Sequence, residues 1–138
     1  MNFDWTCLQI LIVDDDPDLR EVLSDIFRRM GCQVFSAADG AQAFNLILKN
    51  KFSIIISDLQ MPVMDGRKLL EKILAAKINV PFIFITAQAH FSATQARSLG
   101  ARGLIHKPYR LKSLLELIKN AISNETSATQ NLKFLSLN

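Results

Sequence analysis

Cysteine is scarce in this chain: 138 residues hold two, Cys7 and Cys32. Two are too few for a disulfide scaffold, and packed thiols of a reducing compartment are the simpler reading. Long apolar runs are also missing. No stretch approaches the roughly 18 residues that a membrane-crossing helix requires, so no membrane insertion is expected. The opening Met1-Asn2-Phe3-Asp4-Trp5 has neither the basic stretch nor the apolar core of a signal peptide. The expected location is cytoplasmic. His90 and His106 are the two histidines, and neither has a partner cluster, so both read as structural or solvated residues.

Acidic residues are few in the second half. Residues 67–138 hold 3 acids and 11 bases, a net of +8, whereas residues 1–66 hold 10 acids and 5 bases, a net of −5; together they give +3. A uniformly basic chain would suggest nucleic acid. A chain split by sign suggests an acidic site and a basic face on one domain. The hydrophobic fraction, 49%, is ordinary for a globular protein and too high for a disordered one. A chain of this length forms one domain that buries about 68–70% of its unfolded surface.

Apolar runs alternate with helical patterns. Leu8 to Val13 is a short apolar run stopped by three aspartates, as expected of a strand buried on both faces in a parallel sheet. Asp16-Pro17 is a helix start, with Asp16 as N-cap, and Leu19, Val22, Leu23, Ile26 and Phe27 follow at helical spacing, with Gly31 as the stop. Gln33–Ser36 is a second strand. Ala41–Asn50 is a second helix through Ala43, Phe44, Ile47 and Leu48. A third strand spans Phe52–Ser57, and a third helix runs from about Gly66 to Ala76 through Leu69, Leu70, Ile73 and Leu74. Val80–Ile85 forms the fourth strand, residues 91–99 a weakly periodic helix, and Gly103–His106 the fifth strand. Leu111, Leu114, Leu115, Ile118 and Ile122 mark the last helix.

Five strand–helix units predict an α/β, flavodoxin-like (βα)5 three-layer sandwich with parallel sheet order 2-1-3-4-5. Residues 1–123 would form the domain and 124–138 a tail or linker remnant. The apolar Leu132–Leu137 within that tail could pack on the domain, mediate self-association as a homodimer, or act as linker.

Ligands in such sheets bind outside the carboxyl ends of the strands. Four strands end in polar residues there: Asp14-Asp15-Asp16, Asp58, Thr86 and Lys107. Clustered carboxylates repel unless a proton or cation intervenes. A set with oxygen donors only suits Mg²⁺ and argues against zinc. Lys and Thr on the other side suit a phosphoryl group. Together these describe an aspartyl-phosphate site with Asp58 as nucleophile.

Ile12-Val13-Asp14-Asp15-Asp16-Pro17, Ser57 to Gly66, Thr86-Ala87 and Lys107-Pro108 together resemble the receiver domain of bacterial response regulators, from about Leu8 to Ser123. The resemblance implies that Asp58 accepts the phosphoryl group and that Asp15 binds Mg²⁺ directly. Asp14 would act mainly through water, and the backbone carbonyl of Gln60 would complete the metal set. Thr86 would be the switch hydroxyl and Lys107 the partner of the phosphoryl group, joined to Pro108 by a cis peptide. Gln60 and Gln88 match positions that tune self-dephosphorylation. The implied donor is a sensor histidine kinase or histidine phosphotransfer protein. The protein would be a signalling switch rather than an enzyme, apart from its own phosphorylation and dephosphorylation.

Leu104 departs from the pattern, because many family members carry Tyr or Phe there as a rotamer switch. The family's usual output face, helix 4–strand 5–helix 5, here carries Arg97, Arg102, Arg110, Lys112 and Lys119. It would suit an acidic partner, or be a solvated surface. Direct DNA binding is not expected, since no helix-turn-helix pattern follows. The alternatives are a pseudo-receiver that binds partners without phosphorylation, and a haloacid-dehalogenase-type phosphatase. The phosphatase reading leaves Asp58 unexplained, because that family's nucleophile follows the first strand.

Overall fold

The computed structural model describes residues 3–123. After a short 3-10 turn at Trp5–Cys7, the elements run β1 (Gln9–Val13), α1 (Pro17–Arg29), β2 (Gln33–Ala37), α2 (Gly40–Lys49), β3 (Ile54–Asp58), α3 (Gly66–Ala75), β4 (Phe82–Thr86), α4 (Ala93–Ser98) and β5 (Gly103–His106). A fifth helix, α5, spans residues 111–123. The five strands form one parallel sheet in the order β2-β1-β3-β4-β5, which is the flavodoxin-like arrangement.

The central strands bury both faces, which is why they read as unbroken apolar runs rather than alternating ones. Leu11, Val13, Ile55, Phe82 and Phe84 point to the side covered by α2, α3 and α4. Ile10, Ile12, Ile54, Ile56, Ile83 and Ile85 point to the side covered by α1 and α5. Each such side chain contributes about 1.5–3 kcal/mol when fully buried. Because all five strands run parallel, their carboxyl ends fall at one rim of the sheet.

The helices begin where the sequence offers an oxygen. Asp16, Asp39 and Asp65 cap α1, α2 and α3 by accepting backbone N–H bonds. Gly31 follows α1 at φ +94°, a left-handed position that glycine takes without strain. Helix α4 is only six residues long, and its start is fixed by a capping box between Ser92 and Gln95.

Some details differ from the sequence expectation. Strand β4 begins at Phe82 rather than Val80; Pro81 has no N–H to donate, although its carbonyl still accepts from Ile55 at 2.9 Å. The outer members of the helical stripes are exposed rather than buried: Val22, Leu48 and Leu74 keep half or more of their surface in solvent. Helical spacing marks a broad stripe, whereas the sheet covers only its centre. The tail, residues 124–138 with Leu132–Leu137, lies outside the described residues.

Candidate functional site

The site is assembled by register. Val13 pairs with Ser57, Asp58 with Ile85 and Thr86 with His106, so residues 14, 58, 86 and 107 follow one another along the rim at the strands' carboxyl ends. Carboxylate oxygens of Asp14, Asp15 and Asp58 lie within 4.8 Å of one another. Asp14 is buried, Asp15 exposed and Asp58 half-buried.

Each carboxylate is held differently. Asp14 accepts the N–H of Asp16 at 2.9 Å and faces the Lys107 ammonium at 3.4 Å. Asp58 accepts the N–H of Gln60 at 3.3 Å and pairs with Lys107 Nζ at 2.8 Å. Asp15 turns outward, where it lines an open depression of about 460 Å³ with Gln60, Met61, Pro62 and Asp65. Lys107 is bound to Pro108 through a cis peptide, and its own N–H donates to the Thr86 carbonyl at 2.8 Å. The Thr86 hydroxyl is buried and accepts the N–H of Gln88 at 3.0 Å.

The sequence-expected residues therefore converge. Asp14, Asp58 and Lys107 are in direct contact, Asp15 is beside them, Gln60 meets Asp58 through its backbone, and Thr86 closes the next strand end. Three contacts add detail to the sequence expectation. Arg20 Nη1 donates to the Asp14 carbonyl at 2.6 Å and anchors the acidic turn onto α1; Arg20 stands four residues after the cap Asp16, which was the only available signal. Gly66 packs under Asp58: a Cβ built there would sit 2.3 Å from the Asp58 carbonyl oxygen. His106 accounts for itself through its ring, which bonds the Phe91 carbonyl at 2.8 Å.

The electrostatics follow from burial and pairing. Burial pushes the Asp14 carboxyl above its ordinary 3.8, while the Asp16 N–H and the Lys107 charge pull it down and the Asp58 charge pushes it up. Burial works to lower Lys107, but the hydrogen bond and charge of Asp58, with Asp14 behind it, outweigh that and raise it above 10.5.

A carboxyl raised in the folded state binds its proton more tightly folded than unfolded, so its contribution favours folding at low pH. That contribution is lost as pH rises from 3.8 through the folded value. Asn at position 14 keeps an acceptor for Asp16 but cannot ionise. In metal-free buffer the Tm difference, Asp14→Asn minus wild type, is expected to grow as pH rises from near 3.8 to neutrality. A flat or falling difference across calorimetric scans contradicts this.

The donor set fits a hard divalent cation. It is oxygen only, and among the described residues no histidine or cysteine joins the cluster. Three carboxylates face one ammonium, that of Lys107, and the negative charge left over is what a divalent cation would offset.

Comparison with known proteins bears on the family and the fold. The family model described as the response regulator receiver domain matches residues 10–119. A "Probable transcriptional regulator ycf29" of Porphyra purpurea is 35% identical over 127 residues, covering 90% of this chain and 61% of the relative. "Sporulation initiation phosphotransferase F" of Bacillus subtilis is 31% identical over 112 residues, covering 80% of this chain and 90% of the relative. Among solved structures, the response regulator TrrA of Thermotoga maritima, in complex with Mg²⁺ and BeF, aligns with a TM-score of 0.74 at 25% identity, over 83% of this chain and 98% of that one.

Proposed function

Since this chain belongs to the response regulator receiver domain family, whose members are signalling switches phosphorylated on an aspartate, we propose that Asp58 is the acceptor and that the cluster around it performs the transfer. The observation that carries this reading is the contact of Lys107 Nζ with Asp58 Oδ2 at 2.8 Å inside an acidic cluster at the sheet's carboxyl rim.

In the proposed reaction an Asp58 carboxylate oxygen attacks the phosphorus of a phosphohistidine donor. The O–P bond forms as the donor's N–P bond breaks, and the imidazole departs. Lys107 holds the carboxylate and faces the charge that accumulates on the transferred oxygens. Thr86 releases the Gln88 N–H and donates to a phosphoryl oxygen. Asp14, Asp15, Asp58 and the Gln60 carbonyl would hold Mg²⁺, which supplies neutralising charge between the carboxylates and the phosphoryl group. Gln60 and Gln88 flank the centre and would set how readily water reaches it.

The donor fits a sensor histidine kinase or a histidine phosphotransfer protein, and output would pass through a partner at the α4–β5–α5 face. Arg97, Arg110, Lys112 and Lys119 are exposed there, and Arg102 is half-buried beside them. Leu104 pairs with Phe84 in register and packs against the core under α3 and α4. It offers no ring to swing, so the signal would travel through the backbone after Thr86. No described helix is long and apolar enough to cross a membrane. The receiver would comprise residues 1–123, with 124–138 as tail.

Incubation with acetyl phosphate tests the chemistry without knowledge of the kinase. A phosphoryl group is expected on the protein with Mg²⁺ present and to be lost when EDTA replaces it. Equal labelling in EDTA contradicts the metal assignment.

A further inference from the structure

A second polar depression lies away from the acidic rim, where α1 overhangs the edge strand β2. Pro17, Arg20, Glu21, Ser24 and Arg28 recur at three- and four-residue spacing and form one stripe along α1; with Ser36 of β2 they line a hollow of about 340 Å³. Nothing in the phosphoryl-transfer reading uses Ser24, Arg28 or Ser36.

Three observations distinguish this hollow from an ordinary charged helix face. Ser24 is 3% exposed, and its hydroxyl is the one buried side-chain polar atom among the described residues that has no hydrogen-bond partner. Buried hydroxyls are rarely left in that state without a ligand, ion or water to satisfy them. Arg28 is exposed and makes no ion pair among the described residues, whereas its neighbour Arg29 is paired with Asp25 at 3.1 Å. Arg20 spends one of its five N–H donors on the Asp14 carbonyl, which fixes the guanidinium at the top of the hollow with others to offer. Glu21 is the single acid in the lining, so two arginines leave it net positive.

Two guanidinium forks and serine hydroxyls are the donor set that matches tetrahedral oxyanions. We propose that this hollow binds a phosphate-class oxyanion, held by Arg20 and Arg28 and satisfied by the Ser24 hydroxyl. Ser36 closes the site from the strand side. Because Arg20 also grips Asp14 through its backbone, occupancy would be felt at the acidic turn.

The test is a titration of the whole chain, metal-free, followed through backbone amide NMR shifts. Inorganic phosphate is the first probe and glycerol phosphate the second. Shifts are expected at residues 17–28 and 36, with a smaller response at residues 14–16 through Arg20. Tighter binding of glycerol phosphate would identify the natural ligand as a phosphomonoester, and equal binding would identify free phosphate. Arg28→Gln is expected to weaken binding about tenfold or more, the loss of one charge-assisted contact. Ser24→Ala should weaken it similarly while keeping or raising Tm, because it removes an orphaned hydroxyl. Shifts confined to the surroundings of Asp58 and Lys107, or an affinity unchanged by Arg28→Gln, would overturn the site. A Ser24→Ala protein that melts earlier yet binds phosphate as before would assign Ser24 to packing instead.

Discussion

Lys107→Ala is expected to slow phosphoryl transfer to this chain by about a hundredfold or more, the usual consequence of removing a preorganised donor from a site of developing charge. Two carboxylates depend on this ammonium, Asp58 at 2.8 Å and Asp14 at 3.4 Å. Asp14 is 4% exposed, so water replaces the missing cation poorly. The variant should therefore lose stability at neutral pH in metal-free buffer and recover part of it in acid, where a carboxyl can take up a proton. Lys107→Arg keeps the charge but changes the reach and the shape of the donor. It should restore more of the stability than of the transfer rate. Single-turnover labelling together with thermal scans separates the two effects, and a Lys107→Ala protein that labels at the wild-type rate would remove Lys107 from the chemistry.

Gly66→Ala is expected to damage the site without touching any carboxylate. The added methyl would sit 2.3 Å from the Asp58 carbonyl oxygen, 3.0 Å from a Phe84 ring carbon and 3.2 Å from the Ser57 hydroxyl. Two of the three neighbours cannot yield easily. Phe84 is fully buried and packs edge-to-face on Phe82 and Phe91, and the carbonyl belongs to the backbone that carries Asp58. Overpacking of this kind costs about 1–3 kcal/mol, and the relief must come from displacing the turn after β3. That turn is already constrained: Gly66 N–H donates to the Leu59 carbonyl at 2.9 Å, and Val63 sits at φ +67°, which a β-branched residue rarely adopts. A fall in Tm of several degrees, accompanied by slower labelling at Asp58, is the expected pair of results. An unchanged Tm and rate would show that the turn gives way freely.

The acidic rim was readable in sequence for a physical reason. A parallel sheet buried on both faces writes its strands as apolar runs, so the first polar residue after each run falls at the rim where ligands bind. Asp14 and Thr86 are such residues, Asp58 and Lys107 stand one place further on after Ser57 and His106, and their order along the chain needs only the sheet order to make them neighbours. Asp16 as cap was legible because its N-cap geometry is local.

Features that depend on a particular side chain crossing space were not legible. Arg20 reaching the Asp14 carbonyl and His106 meeting Phe91 belong to this class. So does the orphaned Ser24 hydroxyl, which on sequence grounds is one serine in an amphipathic helix. Helix α4 had a weak signal because six residues with one buried position, Ala96, are too few to show a period. The exposed Val22, Leu48 and Leu74 show the opposite error, where a clear period overstates how much of a helix the sheet covers.

The proposed switch depends on Asp58 accepting a phosphoryl group. Intact-mass measurement of wild type and Asp58→Ala, each incubated with acetyl phosphate and Mg²⁺, tests it most directly. One added phosphoryl group is expected on wild type and none on Asp58→Ala. Equal labelling of both proteins, or no labelling of wild type, would contradict it.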